Sequence, residues 1–202
     1  MKKSREICKP ILFSTPMVQA ILRGEKTQTR REVKYWKKIT NPKIVGDILW
    51  VRETWQHTKA LNLHISDENH GYVYKADGEP WEDYENWKWK PSIFMPKDAC
   101  RIFLKITKIR IERLEDITKE DAIAEGIEKW ENCNSTGGVH PAIASFRSLW
   151  TSINGFDNLN SNPWVFVYDF ERTNTSVCDN YKPTSKTDYD CINCGNTIQD
   201  HF

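Results

Sequence analysis

Short apolar runs and apolar-polar alternation recur along the chain, and this pattern predicts mainly β-strands. Runs at residues 10–13 and 164–170 are typical of strands, and residues 45–52 indicate a turn that leads into a buried strand. The segment after residue 101 alternates with a period of two and then changes phase. Its apolar positions are Ile102, Leu104 and Ile106, followed by Ile109 and Ile111. Because side chains alternate strictly between the faces of a strand, the slip predicts a bulge near residues 107–108, as in small, strongly curved sheets.

Three segments carry helix signals. Ser14 or Thr15 precedes Pro16, a standard helix start, and Gly24 follows as the stop. A capping box at residues 118–121 predicts a second helix that ends by Gly126. A third, amphipathic helix is indicated by helical spacing of Phe146, Leu149, Trp150 and Ile153.

Strands outnumber helices and mostly lack β-α-β alternation, which favours a mixed α+β barrel over a doubly wound sheet. Residues 56–98 are acidic and aromatic, and we interpret them as an irregular excursion between strands. From residue 173 the composition turns to Asn, Ser, Thr, Asp and Lys, which indicates that a separate tail begins there.

Composition and charge limit the class of protein. The chain has 202 residues with nine Trp, seven Tyr and eight Phe, which argues against a fully disordered polypeptide. No apolar run approaches the roughly 20 residues that span a bilayer, so we expect a soluble, cytoplasmic protein without a membrane partner. The net charge is +1, yet residues 1–52 hold 13 Lys and Arg against 4 Asp and Glu. This basic segment either guides a polyanion to one face or pairs with the acidic middle of the chain.

The tail contains a pattern typical of a structural zinc site. Its spacing is C-x12-C-x2-C-x6-H, formed by Cys178, Cys191, Cys194 and His201. Two thiolates separated by two residues can bind one cation through a tight turn, and a segment this short would take most of its stability from the metal. Asp200 or water could replace His201 as the fourth ligand, and a tail with incidental thiols is the alternative.

Two blocks in the body resemble a known family. They are Gly24-x-Lys26-Thr27-x-Thr29-x-Arg31 and residues 46–53, GDILWVRE. Together with residues 91–96 and 162–164, they are similar to the ASCH domain family, and in particular to its bacteriophage and prophage branch. The resemblance covers residues 10–172 and implies a PUA-like β-barrel with flanking helices. It leaves residues 173–202 as an added zinc-binding tail. If the protein is encoded by a phage, we expect it to work in the host cytoplasm.

The resemblance also implies a function related to nucleic acid. The family includes an amidohydrolase that removes the acetyl group of acetylcytidine, and its catalytic residues match Lys26, Thr29 and Glu125 in this sequence. Amide hydrolysis needs a nucleophile, a base and an acid. Thr29 could supply or orient the nucleophile, with Lys26 as base if burial or nearby Arg side chains lower its pKa. Glu125, near a helix C-terminus, suits the acid because the helix dipole disfavours a carboxylate there.

A common site requires residues 24–26 to form a turn, because in a regular strand Lys26 and Thr29 point to opposite faces. Without such a site, the cations are solvated and the threonines are ordinary strand residues.

Four further side chains are candidates for substrate binding: Arg31, Trp50, Arg52 and Glu53. An Arg can bind phosphate, an aromatic ring can stack on a base, and a carboxylate can read the amino edge of cytosine. The alternative is that Trp50 belongs to the core and Arg52 pairs with Glu53 or another acid. The sequence therefore predicts a domain that acts on RNA or a modified cytidine nucleoside by amide hydrolysis. A non-catalytic RNA-binding module and a ribonuclease remain the alternatives.

Overall fold

A five-stranded sheet organises the part of the chain that the computed structural model describes, which is residues 8–33, 43–57, 71–78, 88–127 and 138–173. Within these ranges the chain forms seven strands and four α-helices. The strands are β1 (Cys8–Leu12), β2 (Gln28–Glu32), β3 (Ile48–Arg52), β4 (Trp55–His57), β5 (Tyr72–Tyr74), β6 (Phe103–Arg113) and β7 (Trp164–Thr173). The helices are α1 (Thr15–Leu22), α2 (Lys119–Ala124), α3 (Pro141–Asn154) and α4 (Phe156–Asn160).

The strands of the main sheet follow the order β1-β3-β6-β7-β2. β1 pairs with β3 in parallel, and the other neighbours are antiparallel. β4 and β5 form a separate two-stranded ribbon. The mixed α+β class is therefore confirmed.

The two end strands of the sheet approach each other through one side chain. Arg31 on β2 donates a hydrogen bond to the carbonyl oxygen of Leu12, the last residue of β1, at 2.9 Å. A sheet whose opposite ends are bridged in this way must be strongly curved, as the sequence pattern predicts. Between β1 and β2 the described residues make this side-chain link and no strand ladder.

The bulge on β6 is confirmed. Ile106 pairs with Phe170 and Lys108 with Asp169, so Thr107 is the extra residue. Because of this insertion, Ile109 lies opposite Tyr168 on the apolar face that Ile106 also covers.

Each face of the sheet carries its own core. On one face, α1 packs through Val18 and Ile21 against interior residues such as Leu104. On the opposite face, α2 and α3 cover a second core that includes Val165, Val167, Ala122, Phe146 and Trp150. β2 runs along the edge of both cores, so its alternate side chains enter two different environments.

Local helix signals are borne out in most details. α1 begins at Thr15 with Pro16 in its first turn, and Thr118 with Asp121 forms the predicted capping box of α2. α3 begins earlier than the apolar spacing indicated, at Pro141, and Ile153 is 63% exposed instead of contributing to the core. None of the helices in the described ranges combines the length and the hydrophobicity of a membrane-spanning segment. The tail with its four predicted metal ligands lies outside the described residues.

Candidate functional site: a charged cavity between the sheet and helix α3

Lys26 lies in a turn between α1 and β2. Gly24, with φ of +77°, ends the helix, and the backbone amides of Glu25 and Lys26 both donate to the carbonyl oxygen of Ala20. β2 begins at Gln28, two residues later. Lys26 is therefore outside the pleated strand, which is the condition that a common site with Thr29 requires.

Lys26 and Glu125 form a buried ion pair, although 99 residues separate them. The ammonium of Lys26 donates at 2.8 Å to a carboxylate oxygen of Glu125, to its backbone carbonyl and to the carbonyl of Gln28. The two residues are only 2% and 3% exposed. All three ammonium protons are thus donated. Burial lowers the pKa of Lys26, with Glu125 opposing the shift and the charges of Arg31 and Arg30 adding to it.

The ion pair depends on a close backbone contact at Gly126. Glu125 is the C-cap residue of α2, and Gly126 follows with φ of +73°. A Cβ atom at Gly126 would lie 2.7 Å from the Cβ of Lys26 and 2.8 Å from that of Ala20. Only glycine lets the end of α2 approach the Lys26 turn this closely. The amide of Thr27 also donates to the carbonyl of Ala124, and this bond fixes the approach.

Arg30 connects the Lys26–Glu125 pair to a wider charged network. Its side chain is fully buried and contacts Glu125 at 3.3 Å, Glu112 at 2.6 Å and Asp121 at 3.0 Å. Arg110 binds Glu112 and Asp121 from the other side. Two cations therefore contact the Glu125 carboxylate, so the helix dipole is not the only field acting on it.

A cavity of about 570 Å³ opens beside this pair, between the ends of β1 and β2 and helix α3. Its charged part consists of Arg30, Arg31, Glu32 and Glu125. Its apolar wall consists of Leu12, Phe13, Met17, Phe146, Leu149, Trp150 and Ile153. Apolar walls around a few polar groups are typical of small-molecule sites. The exposed position of Ile153, at odds with a core role, is explained by its place in this wall.

Thr29 and Arg31 lie on the same face of β2. Thr29 is opposite Tyr168 and is 1% exposed. The cavity lining includes Arg30, Arg31 and Glu125 but neither Thr29 nor Lys26. Arg31 donates to the carbonyls of Arg30 and Leu12 and lies 5.3 Å from the Phe13 ring centre. Burial lowers its pKa, opposed by the charge of Glu125.

The remaining substrate-binding candidates do not line the cavity. Arg52 lies over the ring of Trp50, with 5.4 Å from its guanidinium carbon to the ring centre, and donates to the carbonyl of Ile93. Glu53 is 1% exposed and binds Arg101 with both carboxylate oxygens, at 2.9 and 3.0 Å. Burial raises the pKa of Glu53, and Arg101 opposes the shift. This contact gives Glu53 a structural partner 48 residues away, and not the neighbouring Arg52 that the sequence also suggested.

Sequence reasoning missed the role of two elements. The sequence indicates only that Arg side chains could lower the pKa of Lys26, whereas Arg30 contacts three carboxylates. The apolar spacing of α3 predicts a packing helix, whereas one side of the helix forms the cavity wall. Four apolar residues at helical spacing can cover either a core or a pocket, so the spacing itself carries no signal that separates the two.

Among the residues described, no cluster of three or more His, Cys, Asp and Glu side chains could hold a metal ion. Cys178, Cys191, Cys194 and His201 lie outside that part of the chain, so the zinc site remains a prediction.

Comparison with known proteins finds similar chains among the solved structures. No family model and no curated protein matches the sequence. The chain is similar to the structure of an ASCH domain from Lactobacillus crispatus JV V101, with 12% identity, a TM-score of 0.44, and coverage of 82% of this chain and 79% of that chain. It is also similar to protein EF3133 from Enterococcus faecalis V583, which carries the family designation DUF984, with 10% identity, a TM-score of 0.44, and coverage of 83% and 80%. Neither similarity assigns a residue or an activity to this chain.

Proposed function

We propose that the cavity binds the base of a modified cytidine, free or in RNA, and that the residues beside it hydrolyse an acetyl amide on that base. The observation that carries the proposal is the buried contact between Lys26 and Glu125, in which Glu125 lines a cavity of about 570 Å³ and Lys26 lies behind it. The volume lies within the ~300–1,000 Å³ typical of small-ligand pockets. A pyrimidine with its sugar is an appropriate occupant for a pocket of this size and mixed polarity.

The ion pair offers a base and an acid in one contact. Transfer of one proton from the Lys26 ammonium to Glu125, across 2.8 Å, yields a neutral amine and a neutral carboxylic acid. The amine then takes the proton of the attacking water, whose oxygen forms the new bond to the acetyl carbon. As the bond from that carbon to the amide nitrogen breaks, the acid gives its proton to the leaving amino group of cytidine. With water as nucleophile the products are acetic acid and cytidine, and the ion pair is restored. Burial, which lowers the pKa of Lys26, favours the first transfer.

Thr29 and Arg31 have supporting roles in this proposal. Thr29 lies on β2 between the Lys26 turn and Arg31, buried and outside the cavity lining. We therefore assign it the orienting role and not that of the nucleophile. Arg31 lines the cavity, and its guanidinium would bind an anionic group of the substrate.

The decisive experiment follows conversion of acetylcytidine to cytidine by chromatography, with the wild type and Lys26→Met, Thr29→Val and Glu125→Gln. We expect turnover by the wild type and at least about a hundredfold loss in each variant, as for removal of a general acid or base. Lys9→Met is the matched control, because Lys9 forms another buried ion pair, with Asp47 at 2.7 Å. Equal loss of turnover in Lys9→Met, or full turnover in Lys26→Met, would refute the assigned roles.

A second candidate is an RNA-binding module without chemistry, and one observation favours it. All three protons of the Lys26 ammonium are donated to acceptors, an arrangement that suits a permanent charge. Lys26 would then only hold Glu125 in place. This alternative predicts RNA binding that weakens with salt, with a slope that reports phosphate contacts, and no cytidine product.

A further inference from the structure

We propose that Arg31, Lys43 and Tyr168 form a subsite for a phosphate monoester beside the cavity, so that the ligand is a nucleotide and not a free nucleoside. The identity of the base rests on the function proposed above. The phosphate subsite rests on its own contacts, and it can be tested without any base.

Arg31 is the cation that connects the subsite to the cavity. It lines the cavity, and its two hydrogen bonds go to backbone carbonyls. It forms no ion pair with a described residue, in contrast to Arg30 beside it, which has three carboxylate partners. A guanidinium in a concave surface without a carboxylate partner is an open anion-binding group, since its planar donors suit phosphate.

Lys43 brings a second cation to the same place. Its ammonium lies 5.6 Å from the ring centre of Tyr168 and makes no ion pair within the described part of the chain. The nearby carboxylate of Asp47 is bound through Oδ2 by Lys9 at 2.7 Å and by the amide of Ile44 at 2.9 Å, and its charge raises the pKa of Lys43. Its Oδ1 accepts no hydrogen bond from a described residue. Burial lowers the pKa of Lys43, and the charges of Arg31 and Lys9 lower it further. Lys43 lies over the ring of Tyr168, and Arg31 lies opposite Phe166, whose ring stacks on that of Tyr168. A shared anion at this ring pair would offset the repulsion between the two cations.

Tyr168 joins the two cations and adds a hydroxyl. Arg31 pairs across the sheet with Phe166, whose ring stacks on that of Tyr168 with 5.9 Å between centres. Burial raises the pKa of Tyr168 to about 12, so the hydroxyl keeps its proton at neutral pH. No described residue accepts a hydrogen bond from it. Two cations and one free hydroxyl match a phosphate monoester, which is close to a dianion at pH 7.

The test compares cytidine with cytidine 5′-monophosphate by titration calorimetry on the full chain. We expect the phosphate to increase affinity at least about tenfold, or 1.4 kcal/mol, in the wild type. Lys43→Gln should bring the two affinities within about twofold of each other without changing that of cytidine, and Lys43→Arg should restore the difference. Lys108→Gln is the matched control, because it removes an exposed lysine on β6 and should keep the preference. An oligonucleotide with and without a 5′-phosphate separates a monoester from the diesters of an RNA backbone.

Inorganic phosphate separates the subsite from the proposed function. If neither cytidine compound binds, but phosphate raises the melting temperature of the wild type and not that of Lys43→Gln, the subsite stands and the nucleotide function fails. If cytidine binds and its phosphate adds nothing, the subsite is refuted and the proposed function stands. Equal phosphate preference in the wild type and in Lys43→Gln would also overturn the assignment, as would preference for the oligonucleotide without regard to its 5′-phosphate. If no probe binds, both proposals fail.

Discussion

Replacement of Gly126 by Ala tests whether the Lys26–Glu125 contact depends on the close approach of two backbones. The added Cβ would sit 2.7 Å from the Cβ of Lys26 and 2.8 Å from that of Ala20, closer than such atoms pack. An L-residue in the left-handed conformation costs about 1–2 kcal/mol, and an overpacked contact costs about 1–3 kcal/mol more. We therefore expect Gly126→Ala to lower the free energy of unfolding by about 2–5 kcal/mol, the sum of these two costs.

Gly24→Ala is the matched control. Gly24 has nearly the same positive φ, +77° against +73°, but nothing lies within 4 Å of a Cβ built there. It should lose only the conformational term of about 1–2 kcal/mol. Urea unfolding followed by tryptophan fluorescence gives both free energies. The same two variants are then compared in acetylcytidine turnover, where only Gly126→Ala should displace Lys26 from Glu125.

Equal destabilisation by the two substitutions would refute the steric argument, because the contact would then contribute nothing beyond the backbone term. A Gly126→Ala variant that is strongly destabilised yet keeps full turnover when folded would separate the close approach from the chemistry. In that case the tight turn would serve the fold alone.

Three other outcomes are expected. Lys26→Met should lower the free energy of unfolding by about 3–5 kcal/mol, because it leaves the Glu125 carboxylate without one of its cations. Glu125→Leu should then cost less in the Lys26→Met variant than in the wild type. Additive losses in urea unfolding would contradict this coupling. Burial raises the pKa of Tyr168 from 10.0 to about 12, so the protonated hydroxyl contributes to the free energy of unfolding. This contribution is fully present well below pH 10 and is lost as the pH rises towards about 12. Urea unfolding of Tyr168→Phe should lack this part of the alkaline decline, and identical pH profiles would count against it. Atomic absorption of the purified chain should find about one zinc ion, absent after Cys191→Ser, if the tail holds a tetrahedral site; a metal-free wild type would disprove it.

The sequence predicts those features whose physical cause lies within a few residues. The capping box of Thr118 and Asp121 and the phase slip on β6 are local signals, and the structure reproduces both. Each depends on one turn of helix or on one strand's alternation, so no knowledge of distant partners is needed.

Long-range partners could not be predicted in the same way. Glu53 is bound by Arg101, and Arg30 by Glu112, although 48 and 82 residues separate the partners. Nothing in the composition of either segment selects these pairs among the many acidic and basic residues of the chain. The resemblance to a family suggested Glu125 as the partner of Lys26, whereas their actual contact follows from the glycine that lets α2 approach the turn.

The extra residue at Thr107 determines how β6 tolerates change. It keeps Ile109 beside Tyr168 while Arg110 reaches Asp121 on the other face. Deleting one residue there would move every later side chain of β6 to the opposite face of the sheet. Arg110 would then face the apolar core, and Ile109 would face the carboxylates. A single substitution along this strand changes one side chain on one face. A change in the length of the strand would instead exchange the side chains that face the two cores.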